Sequence, residues 1–146
     1  ARPGFDRASG WGAPLADATR GLSPDRFFCP GSIVRLELEP DPLTYGLPRH
    51  TAAFFAFSRA FEPVPSRSAA PEGPASPTVR VVGRYGSRDV LMSGWLTGES
   101  IIAGKGALAE VKSGLGRAIL FGFRPQHRGQ SHVTFRLLFN AIHTAR

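Results

Sequence analysis

Between Phe121 and His132 the chain reads FGFRPQHRGQSH, which places two histidines, two arginines and two glutamines in one short polar stretch. Arg124, His127 and Arg128 carry or can carry positive charge. Gln126, Gln130 and His132 can donate and accept hydrogen bonds. The stretch follows a strand-like apolar run and precedes a helix-like one. In open α/β sheets, ligands gather at the carboxyl ends of strands, and a helix N-terminus offers free N–H groups to an anion. One chemistry for Arg124, Gln126, His127, Arg128, Gln130 and His132 is therefore a small anion or carboxylate site. The competing reading is structural: the same side chains satisfy the backbone groups of a turn.

Other chemistries are poorly served by the residue types present. His127 and His132 stand five residues apart, a spacing that suits no helix face, and Glu99 and Glu110 are the only acids after Asp89. A hydrolytic zinc needs three protein ligands and a base. No GxSxG elbow occurs, and the sequence around Ser93 (MSGW) lacks a strand-to-helix context. GKGALAE from Gly104 resembles half a phosphate loop, but no later Lys-Ser/Thr follows. The single cysteine, Cys29, excludes an internal disulfide. It lies in FFCPGS before a strand, with neither a helix N-terminus nor a basic partner beside it in sequence, so an inert buried thiol is expected.

The elements that must position these residues follow from periodicity. SIVRLELE (32–39) alternates, with Val34, Leu36 and Leu38 on one side, as a half-buried strand does. TAAFFAFS (51–58) is a compact apolar run expected to form a strand buried on both faces. TVRVVGRY (78–85) and the apolar run from Val90 to Leu96 read as two further strands. Ala107–Val111 and Arg117–Phe123 flank KSGLG and read as a β-hairpin. From Ser131, a plausible N-cap, the period becomes helical. Phe135, Leu138, Phe139 and Ile142 fall on one face, widened by Leu137 and Ala141. Residues 1–26 show no period and read as an irregular lead-in. Residues 62–77 hold five prolines and read as a mobile surface loop.

The chain has 146 residues with 42% apolar content, enough for one domain or part of one with a core of its own. Its first residue is not methionine, which favours a fragment. No run approaches the roughly 18 apolar residues of a membrane helix. Net charge is +7, from 16 Arg and 2 Lys against 11 acids. The arginines spread from Arg2 to Arg146 without forming a run, whereas a nucleic-acid footprint clusters on one face. A nucleic-acid partner is therefore not expected.

Three quoted segments carry a family likeness. PGSIVRLELEPDPLTYGLP, AAFFAFSRAFE and LMSGWLTGESIIAGKGALAEVKSGLGRAILFGFRPQHRGQSHVTFRLLFNAI resemble the C-terminal part of bacterial zinc carboxypeptidase-like proteins. In those proteins a metallopeptidase domain of the carboxypeptidase A type precedes a domain similar to class I glutamine amidotransferases. The likeness covers roughly residues 27–144. It implies an α/β, flavodoxin-like layered fold, incomplete here, with a mixed sheet, a β-hairpin and a C-terminal helix. Residues 27–146 would be the later part of the accessory domain, with the 62–77 loop inserted. Catalytic residues do not carry over. The peptidase His-x-x-Glu is missing, and Cys29 does not match the amidotransferase nucleophile, whose His-x-Glu partner is also missing. The resemblance implies a non-catalytic accessory piece, with no cofactor in this segment and zinc in the upstream peptidase domain. Its partners would be that domain, in the same chain, and a peptide substrate, in a secreted or periplasmic protein.

Overall fold

The computed structural model describes residues 8, 10, 12–65, 76–129 and 131–144. Its centre is an eight-stranded sheet. The strands are β1 (Leu15–Asp17), β2 (Ser32–Leu38), β3 (His50–Phe55), β4 (Phe61–Pro63), β5 (Thr78–Tyr85), β6 (Leu91–Ser93), β7 (Gly106–Ser113) and β8 (Gly116–Phe121). Two α-helical segments are described, α1 (Glu99–Ile102) and α2 (His132–His143). The sheet runs β1-β4-β7-β5-β2-β3, with β6 paired to β2 and β8 to β7. The protein is thus mixed α/β, with a largely antiparallel sheet and a C-terminal helix.

Each described strand pair is antiparallel, where the sequence reading expects a mixed sheet. Connection length gives the reason. Parallel neighbours need crossovers of a dozen or more residues, usually helical, whereas antiparallel strands close through short turns. Here Gly114 and Leu115 alone join β7 to β8, with Ser113 opposite Gly116. Gly114 has φ +55°, a left-handed value that glycine accepts without strain. The one multi-turn helix described follows the last strand, so it cannot serve as a crossover between strands.

Burial follows the pleat. In β2 the alternation holds along the whole strand, with Val34, Leu36 and Leu38 buried. They join Phe55, Val82, Tyr85, Leu108 and Leu137 in the larger core. A second cluster holds Leu15, Phe61, Ala109, Val111 and Leu120. The adjacent residues Leu108 and Ala109 of β7 divide between the two clusters, so both faces of this strand are covered. Burial of this kind, worth about 25 cal/mol per Å² of apolar surface, is the main force holding the sheet.

Four sequence expectations need correction. The lead-in is not irregular throughout, because Leu15–Asp17 pairs with Phe61–Pro63 as β1 on β4. Glu62 and Pro63 therefore belong to a strand rather than to the Pro-rich loop, whose residues 66–75 lie outside the described set. The run 51–58 stops being a strand at Phe55. Phe57 has φ +47°, which takes its backbone out of the ladder, and Phe54 is only half-buried. The helix is rotated from the face its apolar residues suggest. Thr134 and Leu137 are buried and Ala141 packs on the core, whereas Phe139 is 57% and Ile142 60% exposed. A polar bond sets that rotation: the Asn140 amide donates to the carbonyls of Leu43 and Tyr45, 3.0 Å each. The helix lies against the 3-10 turn Pro42–Thr44, whose capping box (Asp41 and Thr44) fixes those carbonyls.

Candidate functional site

The polar stretch leaves the end of β8 and turns back across β3. The Arg124 N–H donates to the Phe54 carbonyl at 3.0 Å, an isolated antiparallel bridge. That bridge brings His127 onto Phe54, with ring centroids 4.2 Å apart and planes 12° from parallel. His127–Gly129 is a short 3-10 stretch broken by a kink at Arg128, whose φ of +47° and ψ of 24° are not helical. Arg124, Gln126, Arg128 and His132 are exposed and His127 is half-buried. Gln130 lies outside the described residues.

At this corner the Thr134 hydroxyl meets backbone groups of the turn and of the first helical turn. It lies 2.7 Å from the Pro125 carbonyl, 2.8 Å from the Ser131 carbonyl and 3.1 Å from the Ser131 hydroxyl. Thr134 stands where a Glu would complete a capping box, and it is fully buried. Ser131 occupies the N-cap position but makes no side-chain cap bond. Arg124, His127 and Arg128 form a cationic, solvent-facing group. Partial burial and then the charges of Arg124 and Arg128 hold the His127 imidazole below its ordinary pKa. His127 is therefore mostly neutral at pH 7, while two guanidiniums stay charged beside it.

The remaining titratable groups of chemical interest are committed elsewhere. Glu110, on β7, is 3% exposed. Its carboxylate accepts from Arg80 Nε (3.0 Å) and Nη2 (2.8 Å), and from Arg117 Nε. Burial pushes its pKa up, but the two arginines outweigh that and hold it below the usual carboxylate value. Arg80 also pairs with Asp41, and Arg117 donates to the Thr144 carbonyl at the end of α2. This network ties the sheet to the 3-10 turn and to the helix C-terminus. Asp17 is bound by Arg59 and by the Thr19 amide and hydroxyl. The Cys29 thiol is 2% exposed, and burial raises its pKa, so little thiolate exists at pH 7. Among the described residues, no group of three or more His, Cys, Asp or Glu side chains is placed to hold a metal ion. No described helix is long and apolar enough to cross a membrane.

Periodicity did not reveal a cleft of ≈ 530 Å³ between residues 19–29 and the β3–β4 corner. Thr19, Arg20, Phe28, Cys29, Phe57 and Arg59 are among its walls. Phe28 and Phe57 meet edge to face, with centroids 6.3 Å apart. The sequence signals that could have pointed here are the aromatic pair before Cys29 and the two arginines that flank the cleft. Both are too common to single out without coordinates. No family model, curated protein or solved structure matches the chain.

Proposed function

We propose that the chain is a non-catalytic accessory unit that docks onto a zinc carboxypeptidase-type domain through α2. One observation carries the reading: Phe139 and Ile142, three residues apart on one side of that helix, are more than half exposed. Half-buried Phe135 and Leu138 extend the same side. An apolar stripe of this kind, opposite a side already used for packing, suits burial against another protein surface. The sequence resemblance supplies the identity of that surface. In this reading zinc and the hydrolytic base belong to the peptidase domain, peptide is its substrate, and the protein is secreted or periplasmic. In this reading the antiparallel unit is the later part of the flavodoxin-like accessory domain that the resemblance implies.

The committed state of Cys29, Asp17 and Glu110 supports a role without chemistry. The test uses the protein that carries both parts. Phe139→Glu and Ile142→Glu together should lower its melting temperature and separate the two unfolding transitions, with zinc content and kcat on a small peptide unchanged. Release of C-terminal residues from peptides by the 146-residue chain with zinc would overturn the reading. So would a double variant whose unfolding matches the parent.

A second reading rests on the exposed Arg124 and Arg128 on either side of His127, which is stacked on Phe54: the Arg124–His132 corner binds a small anion. Phosphate bound between Arg124 and Arg128 would offset their charge and raise the His127 pKa. An NMR titration in which phosphate leaves that pKa unmoved ends this alternative.

A further inference from the structure

We infer that the cleft between residues 19–29 and the β3–β4 corner is a binding site for a small aromatic carboxylate. Its volume of ≈ 530 Å³ lies within the roughly 300–1,000 Å³ range typical of ligand sites. The floor is apolar: Cys29 is buried in the core, and Phe27 packs edge-on to Phe55 at 5.9 Å. The wall is Phe57, and its state is the unusual feature. Its φ of +47° is uncommon for any residue with a Cβ and rare for an aromatic one, yet its ring is 71% exposed. Burial therefore does not explain why a phenylalanine occupies a position that glycine would fill without strain. The backbone there is held from both sides, by the Phe57 N–H to the Cys29 carbonyl (3.2 Å) and the Arg59 N–H to the Gly122 carbonyl (2.7 Å). The result is a ring presented edge-to-face with Phe28, beside an opening that a second flat ring can enter.

The charge at the cleft selects the other half of the ligand. Arg59 is already paired with Asp17, and Thr19 donates its hydroxyl to the same carboxylate. The Ser58 hydroxyl is engaged with the Ala56 backbone. Arg20 is exposed on the rim, and its backbone N–H is fixed to the Asp17 carbonyl at 3.2 Å. Among the described residues no carboxylate forms an ion pair with it. A guanidinium recognises a carboxylate through two parallel hydrogen bonds. A ring laid against the exposed side of the Phe28–Phe57 pair, with its carboxylate turned to Arg20, uses each of these groups. The site shares no residue with the α2 face and does not depend on the docking reading.

The experiment is a titration of the whole chain followed by 1H–15N NMR, with phenylacetate as the probe. Phenylacetate should give saturable shifts at Phe28, Phe57 and Arg20. Phenylacetamide, which lacks the charge, and acetate, which lacks the ring, should each bind at least about tenfold more weakly. Phe57→Gly should abolish binding while leaving the melting temperature unchanged or raised, because glycine relieves the left-handed backbone. A purely structural Phe57 would lower it. Arg20→Gln should equalise phenylacetate and phenylacetamide. Gly-Gly-Phe carries the same ring and carboxylate at a peptide end: tighter binding than phenylacetate assigns peptide termini, and equal or weaker binding assigns free acids. The inference fails if phenylacetate gives no saturable shifts at these residues, or if the Phe57→Gly protein binds it as the parent does.

Discussion

Two arginine pairs in this protein have the same composition and opposite fates. Arg80 and Arg117 converge on Glu110, a buried carboxylate that also gathers strand β7, the Pro42–Thr44 turn and the end of α2 into one network. Arg124 and Arg128 converge on His127, a neutral ring stacked on Phe54, and their heads stay in water. A carboxylate between two guanidiniums converts charge into structure. An imidazole in the same place leaves the charge available to a partner. Arginine count alone, and hence the +7 net charge, cannot distinguish these outcomes.

Glu110→Ala should be the most damaging single change. It removes the shared acceptor of both arginines and leaves a void. Loss of one partner from a fully buried pair costs about 3–5 kcal/mol. Arg80 is half exposed and can turn to water, so about 2–3 kcal/mol is expected in urea unfolding. A loss below about 0.5 kcal/mol would mean that the network is surface decoration.

Thr134→Val keeps the shape but removes the hydroxyl that holds Pro125 and Ser131. A cost of about 1 kcal/mol is expected, because the part-buried Pro125 carbonyl loses its donor. Hydrogen exchange in the first turn of α2 should quicken with it. An unchanged exchange rate would shift the anchoring of the corner to the Phe54–Arg124 bridge.

Acid sharpens the contrast further. The folded pKa values of Glu110 and Asp41 lie below their unfolded values near 4.5 and 3.8. Their stabilisation is complete above those pH values and is lost as pH falls through the depressed folded ones. Glu110→Gln should therefore be less stable than the parent at pH 7 and approach it toward pH 2, as followed by circular dichroism. A gap that widens in acid would mean that the Glu110 carboxylate is held above, not below, its unfolded pKa. His127, also depressed, contributes its share above pH 6.5 and loses it as pH drops below that value.

The smallest effect belongs to the exposed corner. Arg124→Ala and Arg128→Ala should each change stability by no more than about 0.5 kcal/mol, as surface substitutions do. Both should raise the His127 pKa toward 6.5, visible in an NMR titration. A large stability loss would give these residues a structural role in the turn.

Much of the sheet was legible in the residues. Strand β2 alternates because its two faces meet core and solvent, and the β7–β8 turn is written in Gly114. The inert state of Cys29 followed from its neighbours. The strand pairing was less legible, because β1 and β4 are three residues each and such short runs carry no period. The exposed stripe of α2 could not be read at all. Phe135, Leu138, Phe139 and Ile142 are the more apolar side, yet Asn140 turns Thr134 and Leu137 inward. In the candidate corner the six polar residues were visible, but Phe54, which seats His127, lies more than 70 residues earlier in the chain.

By itself, the sequence determined where the chain extends, where it turns and where it coils, because those choices depend on backbone freedom and apolar spacing within a few residues. Tertiary structure alone decided which charges are matched and which face water. Arg80 meets Glu110 across 30 positions, and Asn140 meets Leu43 across 97. Such meetings depend on strand order and helix rotation, which no local pattern encodes, and the low dielectric of the assembled interior sets how strongly each pair holds.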